Sequence, residues 1–488
     1  MPDSAPRSEQ HTLSPTGMAV LAVLAIAVGA LENVPIPVLP LLQSELSLTT
    51  AQAALLSTTL ILSGSVTGPI TAKLADLYGG RRMLLVMTWI IVAGAGVSAA
   101  ADSLPVMLVG QALQGIGVGI LPVAFALVRE FMKERLSLAV GLVTGPFIAG
   151  TGLGIVAAGP LADALGRRWV FLLPTLVVAA LAIAAQCALP RRSSPGVRRA
   201  GRETLEWRGA LLLTVALGTL MFNLSRIPRT GWLTTESLTL FTVMLVSGAC
   251  WVAAERRATA PLIGLRLLGR RGVWSSAVVA AVLGAGSAVP AYLFPQLLAM
   301  PSQVAGFGFT ASASQVSLYL FPAYLCAMFV GPLSGQLVRW CGSRVVVAAA
   351  LLVTAVGLLF AVAWHSAPWH VVLGLVVAIG IGVGAAGTAL YAGTVASVDP
   401  SDTGVATSVN MAARGIGAAL GVQISAAVLS SDTNPLTKLP TEDSFRFGFL
   451  LAAILVVLPL AIIAFLPGRA AAPSRPGVSR AADPVLGS

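Results

Sequence analysis

Two ionisable side chains, Glu32 and Arg414, lie well inside long apolar stretches of this 488-residue sequence. Charge in hydrocarbon is expensive, so residues placed there are candidates for chemistry by default. Glu32 sits in Leu31-Glu32-Asn33-Val34-Pro35-Ile36-Pro37-Val38-Leu39-Pro40. About 14 residues separate it from the start of its apolar run, roughly 21 Å along an α-helix, which places it in the outer half of a bilayer. A carboxyl in a low-dielectric medium can take up and release a proton or pair with a cation. It can equally serve structure, by bonding to backbone groups that Pro35 and Pro37 leave free. Arg414 lies about ten residues into a glycine-rich helix, roughly 15 Å from its start.

The elements that position these two residues are membrane spans. Hydrophobic residues make up 56% of the chain and charged residues 10%, whereas a soluble domain is about one-quarter charged. Runs of roughly 20 apolar residues, the length that crosses a bilayer, recur along nearly the whole sequence. Bounded by charges, prolines and glycines, they predict an all-α polytopic fold of fourteen helices. Six fall near Met18–Pro40, Thr50–Ala72, Met83–Ala101, Leu104–Leu127, Leu136–Gly159 and Trp169–Leu189. Two extra helices lie near Arg208–Leu224 and Ser237–Ala254. Six more follow near Val273–Ala299, Ser312–Val338, Val345–Trp364, Trp369–Ser397, Gly404–Ser430 and Phe447–Leu466. The organisation expected is a tail over 1–17, a six-helix bundle over 18–189 and a linker over 190–207. The extra pair over 208–254, a linker over 255–272, a second six-helix bundle over 273–467 and a tail over 468–488 complete it.

Basic residues resist translocation, so their distribution predicts orientation. Clusters such as Lys73, Arg81, Arg82 and Arg191, Arg192, Arg198, Arg199, Arg202, Arg208 share one side with most other arginines. Few fall on the other: Arg167, Arg168, Arg226, Arg229, Lys438 and Arg446. Both termini are then expected in the cytoplasm, and the first apolar run reads as an uncleaved helix rather than a signal peptide. The net charge of +11 is spread over many short loops, a pattern that fits lipid headgroups and not a nucleic-acid partner. Cys187, Cys250, Cys326 and Cys341 have no metal-site spacing, and His11, His365 and His370 form no cluster. Gly382-Val383-Gly384-Ala385-Ala386-Gly387 satisfies a dinucleotide fingerprint only in letters, because it lies in an apolar helix with no strand before it. No phosphate-binding loop of the Walker type occurs.

An internal repeat divides the chain. Gly68-Pro69-Ile70-Thr71-Ala72-Lys73-Leu74-Ala75-Asp76-Leu77-Tyr78-Gly79-Gly80-Arg81 returns as Gly331-Pro332-Leu333-Ser334-Gly335-Gln336-Leu337-Val338-Arg339-Trp340-Cys341-Gly342-Ser343-Arg344, matching at Gly, Pro, Leu, Gly and Arg. Gly115-Ile116-Gly117-Val118-Gly119 returns as Gly380-Ile381-Gly382-Val383-Gly384 at nearly the same offset. Each loop follows the second helix of its block on the same side. The halves are therefore parallel repeats, an architecture of transporters.

These features resemble the major facilitator superfamily, and within it the fourteen-helix drug-proton antiporter branch. Ala72-Lys73-Leu74-Ala75-Asp76-Leu77-Tyr78-Gly79-Gly80-Arg81-Arg82 looks like the family's Gly-x-Leu-Ala-Asp-Arg-x-Gly-Arg-Arg loop. Gly166-Arg167-Arg168-Trp169-Val170-Phe171 is similar to the branch's Gly-Trp-Arg-Trp-x-Phe element. The run from Gly404 through Asn410 and Arg414 to Gly421 resembles its last glycine-rich helix, and the Glu32 segment resembles Leu-Asp-x-Thr-Ile-Val-Asn-Val-Ala-Leu-Pro. Two signatures depart. Gln111-Ala112-Leu113-Gln114-Gly115 stands where the family has Arg-x-x-Gln-Gly. Gly154-Ile155-Val156-Ala157-Ala158-Gly159 lacks the proline of Gly-Pro-x-x-Gly-Gly, although Gly145-Pro146-Phe147-Ile148-Ala149-Gly150 carries one nine residues earlier.

The resemblance implies a non-enzymatic secondary transporter in a bacterial plasma membrane. It would be a monomer with no cofactor, using the proton gradient as its energy source. It implies export of amphipathic drugs or antibiotic-like molecules in exchange for protons, with Glu32 as the protonation site. The cavity is expected between the first and fourth helices of each half, with Asn33, Gln111, Gln114, Tyr292, Gln296 and Tyr391 as liners. Asp76, Gly79, Arg81, Arg82 and Arg414 are the expected conformational gate. Asp76 would meet the N-terminus of the helix beginning near Gly404, where the helix dipole favours a carboxylate. The missing arginine and proline favour a rival on the same fold: a uniporter, or an exporter of a neutral or lipid-like substrate without proton antiport.

Overall fold

A helix leaves no backbone donor or acceptor facing lipid, which is why apolar runs of this length take that form. The computed structural model describes residues 15–120, 123–124, 127, 136–189, 207–231, 233–258, 269–395 and 403–466. Its first half comprises α1 (Pro15–Asn33), α2 (Pro35–Glu45), α3 (Thr50–Tyr78), α4 (Gly80–Ala100), α5 (Leu104–Gly115), α6 (Leu136–Leu165) and α7 (Arg167–Ala188). Next come α8 (Trp207–Thr230) and α9 (Thr235–Arg257). The second half holds α10 (Arg271–Ala299), α11 (Ala313–Cys341), α12 (Ser343–Ala363), α13 (Pro368–Val395), α14 (Thr403–Ser431) and α15 (Glu442–Val457). Among the described residues, eleven spans are long and apolar enough to cross a membrane, with α1 and α2 counted as one. The three remaining expected spans coincide with α3, α5 and α8. Of these, α5 runs on into a 3-10 turn, Ile116–Gly119, and α8 carries the shorter apolar stretch Arg208–Leu220. The expected linkers and tails fall largely outside the described residues.

The repeat extends further in the structure than the matched letters suggest. Thr49 and Gln52 form a reciprocal cap on α3, and Ser312 and Gln315 form the same cap on α11. Both helices run 29 residues and end on a glycine with positive φ, Gly79 at 91° and Gly342 at 85°. That backbone region suits glycine because it has no Cβ to clash. Two residues after each glycine, an arginine reaches the end of the last helix of its own half. Arg81 donates from Nε to the Leu189 carbonyl at 3.1 Å, and Arg344 donates likewise to the Leu466 carbonyl. The two arginines satisfy helix-end carbonyls that have no donor within the helix.

Within the first half α1 packs on α6 and α7, and α4 on α5 and α7; within the second, α10 packs on α14 and α12 on α15. The halves meet where α3 lies on α14 and α6 on α11, and α8 also packs on α3 and α14. At the face the charge pattern assigns to the outside, the contact is close. The Gly159 amide donates to Ser317 Oγ at 3.0 Å, and the Ser314 amide donates to an Asp163 carboxylate oxygen at 2.9 Å. A Cβ at Gly159 would lie 2.2 Å from the Ala313 carbonyl oxygen. Further along α6, toward the opposite face, a Cβ at Gly152 or Gly145 would meet nothing within 4 Å. The α6–α11 contact is therefore tight at that face and parts toward the opposite one.

An ionic clasp ties the outer loops of the first half. Buried Arg167 bonds Glu45 at 2.9 Å and Asp102 at 3.0 Å, and Arg168 bonds Asp102 at 3.2 Å. The hydrogen bonds from Arg168 and then Arg167 hold the Asp102 carboxyl below its ordinary value.

Two outcomes follow from these contacts. Gly159→Ala is expected to force α6 from α11 and to weaken the outer seal by about 1–3 kcal/mol, the usual range for overpacking. A cysteine introduced at Ser314 should then react faster with an impermeant thiol reagent from outside; unchanged labelling would refute the tight contact. A carboxyl depressed in the folded state stabilises above its unfolded value and loses that contribution as pH falls through the folded one. Asp102→Asn should therefore lower the melting temperature at neutral pH and flatten its acid-side decline.

Candidate functional site

The proline run breaks the first span. Pro35 and Pro37 lack the amide hydrogens that would have paired with the carbonyls of Leu31 and Asn33, and Val34 forms a turn between α1 and α2. Glu32 and Asn33 occupy the end of α1 at this break. Glu32 is half-buried, and among the described residues no group makes a hydrogen bond or ion pair with it. The structural alternative, an acid bonded to the freed backbone, has no counterpart among the described contacts. Asn33 is different: its amide donates to the Gly29 carbonyl at 3.0 Å and to Thr151 Oγ1 at 3.4 Å, tying α1 to α6.

The other expected liners separate into three groups. Tyr292 and Gln296, both buried on α10, reach across the halves at the outer end. The Tyr292 hydroxyl donates to the Thr50 carbonyl at 2.9 Å, and the Gln296 amide donates to Gln43 Oε1 at 2.9 Å. They form part of the outer seal. Gln114 on α5 points into its own bundle, donating to Ser98 Oγ on α4 at 2.7 Å. Gln111, one turn earlier, is 1% exposed, and both atoms of its amide lack a hydrogen-bond partner. An arginine in that place, as the related signature has, would need a countercharge in the same bundle. Tyr391 is half-buried on α13.

Of the expected gate, Gly79 makes the positive-φ corner and Arg81 caps α7, with a second bond to the Gln186 carbonyl at 2.7 Å. Arg82 is exposed on the outside of the bundle. The backbone of Asp76 lies in the last turn of α3, and its side chain is outside the described residues. Arg414 is half-buried on α14. A guanidinium nitrogen of Arg414 lies 3.7 Å from where a Cβ at Gly387 would sit, so the side chain spans from α14 to α13.

Several contacts were not evident from the residue pattern. Gln423 on α14 donates to Thr58 Oγ1 on α3 at 2.9 Å, both buried, adding a further polar link between halves. Asn410 joins three helices of the second half: its amide donates to Thr394 Oγ1 at 2.6 Å, and its carbonyl oxygen accepts from Ser276 Oγ at 3.3 Å. At the outer end, His365 pairs with Glu442 at 2.8 Å. Isolated Ser, Thr, Asn and Gln in apolar runs carry no periodic signal, so only their partners reveal them. Among the described residues, no group of His, Cys, Asp and Glu is arranged to hold a metal ion.

The arrangement is two helical bundles in close contact at one end, with a carboxylate on a broken helix of the first half and an arginine between α14 and α13 of the second. A family model for the Major Facilitator Superfamily matches residues 21–317 and 296–486. The chain is 26% identical over 451 residues to a multidrug resistance protein B homolog of Mycobacterium tuberculosis, covering 89% of this chain and 81% of that protein. It is 29% identical over 409 residues to the cephamycin export protein CmcT of Amycolatopsis lactamdurans, covering 81% and 80%. A crystal structure of the nucleoside transporter NupG (D323A mutant) superposes with a TM-score of 0.67 at 11% identity, covering 92% of this chain and 99% of that one. With nearly its whole length matched by the family model and its two bundles superposing on a solved transporter, this multi-pass membrane protein belongs to the Major Facilitator Superfamily.

Proposed function

We propose that the chain exports amphipathic drugs or antibiotic-like small molecules across a bacterial plasma membrane in exchange for protons, with Glu32 as the coupling carboxyl. The observation that carries the reading is the placement of Glu32. It is half-buried at a proline break in a membrane helix, with no partner among the described residues. A partnerless acid at such a site is free to alternate between a proton and a cationic solute, which is the exchange that antiport requires. A multidrug resistance protein homolog and a cephamycin export protein among the relatives support the substrate class. The charge asymmetry supports an orientation with both termini cytoplasmic, and the seal at the opposite face then corresponds to a state open inward. Energy comes from the proton gradient, without a cofactor, and the single chain provides both bundles.

One observation favours a second reading. Gln111 puts a neutral amide where the related signature has an arginine, and a neutral or lipid-like substrate needs no proton exchange. The two readings part in everted membrane vesicles. Antiport makes the lumen more alkaline when an amphipathic cation is added, and Glu32→Gln should abolish that response while leaving protein in the membrane. Substrate flux into the lumen without alkalinisation establishes the second reading, and a pH-driven gradient built by Glu32→Gln removes Glu32 from the coupling role.

A further inference from the structure

The two halves provide an internal control for each other. Arg81 and Arg344 hold equivalent places and cap equivalent helix ends, so the repeat explains both. It does not explain Arg82, whose counterpart is Val345. Nor does it explain Tyr78 and Trp89, whose counterparts are Cys341 and Leu352. These three residues, peculiar to the first half, line one groove.

The groove, of ≈ 820 Å³, runs down α4 beside the end of α7, on the perimeter of the bundle. Arg82, Val86 and Trp89 follow one another at helical spacing on α4, Tyr78 stands at the end of α3 across the Gly79 corner, and all four are exposed, while Arg81 and Gln186 close the charged end. Arg81 is committed to the backbone carbonyls of Gln186 and Leu189. Among the described residues, no acceptor engages Arg82. The groove is thus cationic at Arg82 and becomes apolar and aromatic toward Trp89, about 10 Å farther along the helix axis.

That gradient matches a phospholipid lying along a membrane helix. A guanidinium forms charge-assisted bonds with a phosphate oxygen, Tyr and Trp favour the interfacial depth, and basic pockets between helices on the cytoplasmic side recognise anionic headgroups. We propose that this groove binds an anionic phospholipid of the inner leaflet. Its phosphate meets Arg82, its glycerol region lies beside Tyr78 and Gln186, and an acyl chain lies over Val86 and Trp89. A zwitterionic lipid brings its own ammonium group toward the two arginines and is disfavoured. The site is outside the path between the halves and does not depend on what the chain transports.

Native mass spectrometry of the full-length protein in detergent tests this, with phosphatidylglycerol or phosphatidylcholine added as the probe. The expected result is retention of phosphatidylglycerol over phosphatidylcholine by about tenfold, equivalent to 1.4 kcal/mol, with loss of that preference in Arg82→Gln and its survival in Arg208→Gln. Arg208 is an exposed arginine at the start of α8 and does not line the groove. Equal losses in both variants would mean that net charge alone attracts lipid, and equal retention of both lipids by the unaltered protein would mean ordinary annular contact. Either result overturns the proposal. Tryptophan quenching by brominated phosphatidylglycerol in a phosphatidylcholine nanodisc gives a second test that needs no Arg82 variant. It should fall in Trp89→Phe, and quenching unchanged by that substitution places the lipid elsewhere and also overturns it.

Discussion

Every backbone amide and carbonyl inside hydrocarbon must find its partner within the protein, because no water is there to replace it. This constraint explains the near-total helicity, and it also explains the ends. Thr49 with Gln52 and Ser312 with Gln315 satisfy the first amides of α3 and α11. Arg81 and Arg344 satisfy the last carbonyls of each half. An arginine that would otherwise read as part of a signature loop is thereby a cap, and its planar fork lets it serve two carbonyls at Gln186 and Leu189.

Against that background, the break between α1 and α2 is the place where the rule is relaxed. Two prolines remove two amide donors, and the adjacent acid is left without a described partner. Irregular backbone at membrane depth is tolerated where it borders protein or a cavity. The chemistry available to Glu32 and the local irregularity therefore share one cause, the spacing of Pro35 and Pro37. The seal between the halves has a different origin. It uses a close glycine contact and mostly neutral hydrogen bonds, Gly159 against Ala313, Tyr292 on Thr50, Gln296 on Gln43 and Gln423 on Thr58, with the Asp163 carboxylate on the Ser314 amide as the charged exception. Neutral hydrogen bonds of this kind contribute about 1 kcal/mol each, weak enough for an interface that has to open.

Glu32, the membrane spans and the repeat were legible from the chain alone, because hydropathy, charge and recurring letters are one-dimensional signals. The repeat was only partly legible. Its letters covered one loop and one short glycine-rich stretch, while the equivalence of Thr49 with Ser312 and of Leu189 with Leu466 emerged from matching caps rather than matching residues. The liners were legible as polar residues on the right helices, but not by direction. Gln114 turns to Ser98, and Tyr292 and Gln296 turn to the other half.

Composition and order along the chain by themselves determined that this protein lives in a bilayer, that its halves repeat, and that Glu32 and Arg414 are the charges the membrane must accommodate. Those follow from the free energy of transferring residues one at a time between water and hydrocarbon. Tertiary structure alone decided which polar groups meet: Arg81 at the end of α7, Gln423 at Thr58, and Arg82 left facing outward beside Trp89. Helix periodicity limits the face a residue occupies, but the rotation and crossing of neighbouring helices settle its partner, and these are set by packing across the whole bundle.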